Sequence, residues 1–249
     1  MTKIYAIGDI HGQLNMLQKV LELIEDDGGP AAPIVFLGDY TDRGPDSCGV
    51  LDLLIQGRDA GRNWIFLKGN HDRMFEWFLQ TPSRGDPYLF FDLSWLHARL
   101  GGQNTLQSYG LDFTTRHRLS DLHAGALKVV PKAHHTFLAE CQLFYETEDL
   151  FFCHAGIRPG VALQAQNEQD LLWIRAEFHM HVISHPKVIV HGHSPVDQAC
   201  HYGNRVNLDS GAGYGHPLTA AVFDAGACYV LTSEGRKEIF QQIESKNFL

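Results

Sequence analysis

The 249-residue sequence has few cysteines, no long apolar run and no surplus of basic charge. Its five cysteines (Cys48, Cys141, Cys153, Cys200, Cys228) are scattered, odd in number and without CxxC spacing, which argues against a disulfide framework or a structural zinc site. No apolar run approaches the ~18 residues of a membrane span. The chain enters Lys3-Ile4-Tyr5-Ala6-Ile7 at once, without the apolar segment and small-residue cleavage site of a secretory signal. A net charge of −9 opposes any general attraction to nucleic acid or an anionic membrane. These absences predict a soluble cytoplasmic protein with neither nucleic acid nor membrane as partner. The 44% hydrophobic and 20% charged residues exclude a disordered or fibrous chain. The length suits a single domain over residues 1–249 with a sizeable core.

What is present is one pattern, repeated. Apolar runs Ile4–Ile7, Ile34–Leu37 and Trp64–Leu67 each lead into a polar motif and then a helical stretch. The first helix shows Leu14, Leu17, Leu21 and Ile24 on one face. Continuous rather than alternating apolar runs predict strands covered on both sides, and strand–helix alternation predicts βαβ units. Leu150–Cys153 and Val188–Val190 repeat the device before His154 and His191-Gly192-His193. Sites in open α/β sheets form at the carboxyl ends of strands, so these five strand ends should meet. Between about 81 and 140, Pro82, Gly85 and Pro87 break the pattern, and Tyr88–Leu100, Leu119–Val130 and His134–Glu140 read as a helical insert. Farther on, Val206–Leu208, Leu218–Phe223 and Cys228–Leu231 read as strands. The stretch Gly211-Ala212-Gly213-Tyr214-Gly215 lacks the GxGxxG-then-helix context of a nucleotide loop.

The motifs are GDIHG (8–12), GDYTDRG (38–44), GNHD (69–72), HAG (154–156) and GH (192–193). GDxHG alone fixes four positions, with a chance expectation on the order of 10⁻³ in a chain this long. With the others in order behind strands, the chain resembles the bacterial-type phosphoprotein phosphatases of the calcineurin-like metallophosphoesterases. That resemblance implies an α/β fold, a two-sheet β-sandwich flanked by helices, with the 81–140 insert beside the site. It also implies two divalent metals: Asp9, His11 and Asp39 on one, and Asp39, Asn70, His154 and His193 on the other. Mixed carboxylate and imidazole donors suit manganese, iron or zinc, with manganese the expected metal. The resemblance makes His71 the general acid oriented by Asp42. It makes Arg43 a bidentate phosphate clamp, with Arg175 in Trp173-Ile174-Arg175 as a second.

Other residues take structural readings. Asp72 caps the helix that follows or orients a ligand. His191 is either a supporting residue of the site or a packing residue. Asn207 and Asp209 mark a turn, Cys153 is a buried apolar residue, and Arg58, Arg62 and Arg84 are surface charges. His134, with most other histidines, reads as surface. Tyr88, Phe90, Phe91 and Trp95 read as cap packing, with nucleobase stacking as the alternative. GNHD, HAG and HGHSP occur in two bacterial groups, serine/threonine protein phosphatases and symmetrical diadenosine tetraphosphate hydrolases. The second group typically replaces the Asp of GDxxDRG, so Asp42 favours a phosphorylated protein, or another phosphomonoester, as substrate. A non-catalytic metal-binding scaffold is disfavoured because all seven positions are intact.

Overall fold

The computed structural model describes residues 3–89, 93–113, 117–239 and 241. Strand β1 (Ile4–Ile7), helix α1 (Leu14–Gly28), β2 (Ile34–Phe36), α2 (Ser47–Asp59), β3 (Trp64–Phe66) and α3 (Asn70–Gln80) form the three strand–helix units. Helices α4 (Gly102–Ser108), α5 (Leu119–Val129) and α6 (Lys132–Glu140) follow. Strands β4 (Phe144–Glu146) and β5 (Leu150–Cys153) come next, then α7 (Glu168–Trp173), α8 (Ala176–His179) and β6 (Val188–His191). The chain continues through β7 (Cys200–His201), β8 (Arg205–Asn207), β9 (Ala220–Asp224), β10 (Ala227–Thr232) and β11 (Gly235–Glu238).

Two mixed sheets result, with strand orders β11-β10-β9-β1-β2-β3 and β4-β5-β6-β8-β7. Strands β1, β2 and β3 pair parallel, as do β5, β6 and β8, so their carboxyl ends point the same way within each sheet. Side chains alternate across each strand. Ile4 and Ala6 of β1 therefore join Val35, Phe152, Val190 and Val206 in a core between the sheets. Tyr5 and Ile7 face the other way, with Phe36, onto Leu17, Leu51, Leu54 and Phe75 of the helices. The outer face of the second sheet packs Phe151 and Ile189 on Leu171 and Phe178. Both faces of the central strands are covered, which is why their sequences read as unbroken apolar runs.

The insert differs from expectation at its start. The composition of Tyr88–Leu100 predicts a helix, yet its described residues form turns and bends. Asp86 Oδ1 accepts the Tyr88 N–H at 3.1 Å, a local bond that competes with helix initiation after Pro87. Asp86 is also committed to the buried Arg73 guanidinium, at 2.6 Å and 3.0 Å. Trp95 is buried against Phe75 and Phe78, with ring centroids 5.2 Å and 4.8 Å apart, so it cannot stack a nucleobase. Phe90 and Phe91 lie outside the described residues. His134 is buried rather than on the surface, bridging Tyr109 Oη (2.6 Å) and Asp52 (3.0 Å). Among the described residues, no helix is long and apolar enough to cross a membrane.

Candidate active site

Asp9 and His11 follow β1, Asp39, Asp42 and Arg43 follow β2, and Asn70 and His71 open α3 behind β3. His154 and His193 follow β5 and β6. Asp9, His11, Asp39, Asn70, His71, His154 and His193 are each no more than 5% exposed and are linked by direct contacts into one cluster. The backbone there departs from ordinary geometry. Of the six described non-glycine residues with positive φ, five are His11 (47°), Asp39 (52°), Asp42 (74°), Arg43 (65°) and His193 (66°). Such conformations cost roughly 1–3 kcal/mol each and persist where surrounding contacts over-determine them.

Asp72 supplies much of that determination. One of its carboxylate oxygens accepts the N–H groups of Gly69 (2.9 Å) and Asp39 (2.7 Å), and the other accepts that of Tyr40 (2.9 Å). It therefore caps α3 and clamps the Asp39 loop at once. Close approach also needs glycine. A Cβ on Gly192 would drive into the Asp9 carboxylate, whose oxygens accept the His193 N–H at 3.2 Å and 3.0 Å. Gly192→Ala is expected to weaken metal binding about 10–100-fold, the range for disturbed supporting contacts. Calorimetric titration with Mn²⁺ checks this, with an unchanged far-ultraviolet spectrum as the folding control.

The carboxylate of Asp39 faces two imidazoles: Oδ2 lies 3.5 Å from His11 Nε2, and Oδ1 lies 3.5 Å from His154 Nε2. His11 Nδ1 donates to the Thr41 carbonyl (2.8 Å) and His154 Nδ1 to the Leu37 carbonyl (2.9 Å), so each Nε2 presents a lone pair. Lone pairs thus face carboxylate oxygens on both sides of Asp39, an arrangement that a cation between them relieves. Asn70 Oδ1 sits 2.9 Å from both His154 Nε2 and His193 Nδ1, and His193 Nε2 is buried without a hydrogen-bond partner. Burial pushes the pKa values of His11, His154 and His193 below the usual imidazole range, which keeps them neutral as ligation requires. Burial, then the charges of Asp209 and Asp39, push the Asp9 carboxyl well above its usual range. Buried, crowded anions beside neutral imidazoles fit divalent cations.

Among the described residues, two donor groups lie within ligation reach, His11–Asp39–His71 and Asp39–His154–His193. Within the first, His71 is also tied elsewhere: its Nδ1 meets Asp42 Oδ2 at 2.6 Å. Asp42 is buried and held by Trp95 Nε1 (2.8 Å) and Thr105 Oγ1 (2.7 Å). Arg43 lays Nη1 on His11 Nε2 (2.6 Å) and Nη2 on His71 Nε2 (3.1 Å). On the other flank, Arg175 donates to Ser194 Oγ (3.2 Å) and the His193 carbonyl (3.3 Å). Two guanidinium groups therefore border a buried, donor-lined cleft, an arrangement suited to holding a phosphoryl group between cations.

The structure also decides the subsidiary readings. His191 is fully buried against Phe178 and His179, with Nδ1 on the Gly192 carbonyl (3.0 Å), so it packs rather than faces the cleft. Asn207 donates to the Ser194 carbonyl (2.7 Å) and accepts the Asp209 N–H (3.0 Å), bracing the His193 loop. Asp209 marks a turn, its Oδ1 accepting the Gly211 N–H (3.0 Å), but it also stands among the site carboxylates, a role the turn reading did not include. It is 3% exposed, and burial followed by the Asp39 charge pushes its carboxyl up to about 6. Its position after β8, the sixth of the parallel-paired strands and the one after β5 and β6 in its own sheet, was the available signal. Trp95 and Thr105 carried no signal of a link to Asp42.

The profile of the calcineurin-like phosphoesterases matches residues 2–223. A relative from Bacillus thuringiensis (strain Al Hakam), the asymmetrical bis(5′-nucleosyl)-tetraphosphatase PrpE, is 26% identical over 238 residues, covering 86% of this chain and 87% of that protein. Among solved structures, a candidate diadenosine tetraphosphatase superposes with a TM-score of 0.64 at 20% identity, covering 96% of this chain and 95% of the other. The cold-active protein-tyrosine phosphatase of a psychrophilic Shewanella superposes with a TM-score of 0.63 at 17% identity, covering 96% and 80%. Those two likenesses concern the fold. The family profile spans nearly the whole sandwich and every strand end of the site, and the chain belongs to the calcineurin-like phosphoesterases, metal-dependent hydrolases of phosphoesters.

Proposed function

We propose that this protein is a dinuclear phosphomonoesterase acting on phosphoserine and phosphothreonine, and the observation that carries the proposal is the buried His71–Asp42 pair. In this reading Asp9, His11 and Asp39 hold one cation, and Asp39, Asn70, His154 and His193 hold the other, with manganese expected and iron or zinc as alternatives. When bound, the two cations neutralise phosphoryl oxygens and activate water at neutral pH. Arg43 and Arg175 bind and orient the phosphoryl group. His71 carries a proton at Nε2 to the leaving oxygen. Asp42 accepts from Nδ1, fixes the tautomer and stabilises the imidazolium, while Trp95 and Thr105 keep Asp42 from turning away. A serine or threonine alkoxide is a poor leaving group, and such a proton is worth ~10²–10⁴ in rate. The location that goes with this reading is the cytoplasm.

A second reading has its own support. The curated relative is named for the asymmetrical cleavage of dinucleoside tetraphosphates and spans most of this chain. The alternative raised by the sequence motifs was the symmetrical type. The two readings separate in a side-by-side assay of a phosphothreonine peptide and diadenosine tetraphosphate. The expected result is a higher kcat/KM on the peptide, with a larger loss there for Asp42→Asn. A preference of tenfold or more for diadenosine tetraphosphate gives the second reading instead, and analysis of the products then identifies which phosphate is attacked.

A further inference from the structure

The Gly211–Gly215 stretch lacks the context of a nucleotide loop, yet the fold brings it to the cleft. Gly211 and Gly215 both adopt left-handed backbone (φ 82° and 87°) around a single turn at Ala212–Tyr214. Gln13 Nε2 donates to the Ala212 carbonyl (3.2 Å), tying this turn to the loop that carries His11. Gly213 lies so close to His11 and Arg43 that a Cβ there would press on both side chains. The next residue, Tyr214, is 60% exposed although its ring centroid is only 4.7 Å from the Arg43 guanidinium carbon. One face of the ring is therefore against Arg43, and much of the remainder is exposed.

We propose that Tyr214 is a substrate-positioning residue, backing Arg43 with one face and stacking a planar ring of the substrate, a nucleobase or an aryl group, with the other. The inference rests on Arg43 acting as the phosphate clamp and goes beyond the serine and threonine esters proposed above, which carry no ring: it adds ring-bearing phosphoesters to what the site accepts. A guanidinium over a tyrosine ring gains about threefold in equilibrium terms at an exposed site, and more as water is excluded. The ring also keeps the fork from swinging off the phosphate. A base stacked on a tyrosine gains roughly tenfold, and the gain is tolerant of base identity because every base has a π face. A ring carried beside the bound phosphate would meet Tyr214 without a built pocket.

The test measures kcat and KM for diadenosine tetraphosphate, p-nitrophenyl phosphate and an alkyl phosphate without a ring. Inhibition by inorganic phosphate is measured alongside, in wild type, Tyr214→Ala and Tyr214→Phe. Tyr214→Ala should raise KM about 30-fold on the ring-bearing substrates, the loss of stacking multiplied by the loss of Arg43 support. It should raise the alkyl phosphate KM and the phosphate inhibition constant only about threefold. Tyr214→Phe should restore the wild-type KM. A large effect confined to the dinucleotide identifies a nucleobase, and one confined to the aryl ester identifies an aryl ring. Equal KM changes with and without a ring, a fall in kcat alone, or failure of Phe to restore KM would overturn the proposal. Arg43→Ala tests the underlying assignment separately: unchanged phosphate inhibition there removes the clamp, whatever Tyr214 does.

Discussion

Replacing His71 by asparagine is expected to lower kcat on a phosphothreonine peptide by about 10²–10⁴ while both metals stay bound. The reasoning follows the two nitrogens. Nδ1 is committed to Asp42 at 2.6 Å, which leaves Nε2, 3.1 Å from Arg43 Nη2, as the nitrogen that would hand a proton to a leaving oxygen bound by Arg43. Asparagine keeps a polar group in the same space but cannot deliver a proton. The loss should shrink on p-nitrophenyl phosphate, because an aryl oxide scarcely needs protonation, and this contrast distinguishes lost acid catalysis from general damage. Metal content, measured by elemental analysis of the purified variant, completes the test. His71 shares one ligation-competent group with His11 and Asp39, so loss of a metal equivalent would mark it as a ligand rather than an acid.

Asp39→Asn is expected to disturb both metals and to abolish turnover beyond about 10³-fold, a larger effect than any other ligand substitution, since carboxylate ligands and two cations act together. The geometry singles out this residue. Its two oxygens lie 3.5 Å from different imidazoles, His11 on one side and His154 on the other. An amide offers one oxygen acceptor and carries no charge, so it serves at most one side. Elemental analysis should fall from about two equivalents to less than one, and added Mn²⁺ should restore little activity. The wild-type protein, stripped by chelator, should recover with Mn²⁺. Two retained equivalents in Asp39→Asn would exclude a bridging role.

The positions of the candidate donors were legible in the sequence. Asp9, His11, Asp39, Asn70, His154 and His193 each stand just past an apolar run, and a strand delivers side chains where it ends. Strand limits were legible for the same reason: β1 and β5 occupy the runs read as Ile4–Ile7 and Leu150–Cys153. The readings failed where a local pattern competes with a distant partner. Tyr88–Leu100 has helical composition, but Asp86 bonds Tyr88 and Arg73, and Trp95 is drawn to Asp42 across 53 residues. β4, β7 and β11 lack the unbroken buried apolar run that marks β1 and β5: β4 is half-buried, β7 is Cys200-His201 and β11 is polar and exposed throughout. His134 looked like a surface residue until Tyr109 and Asp52 closed around it.

Near neighbours in the chain determined which elements form and which donors stand at their ends, because hydrophobic period and turn chemistry act over a few residues. They sufficed for the family, the two-layer α/β class and the candidate ligands. Only the tertiary structure decided how those donors are aimed. Packing two sheets through Val35, Phe152, Val190 and Val206 brings residue 9 beside residue 193, and no local rule carries that distance. It forces five site residues into positive φ, which their own preferences oppose and the Asp72 and Gly192 contacts maintain. It also places Asp209 among the carboxylates and Tyr214 against Arg43, from a segment whose sequence reads as a turn. Position along the chain is set by local energetics, whereas convergence is set by burial summed over the whole core, which no short window of sequence contains.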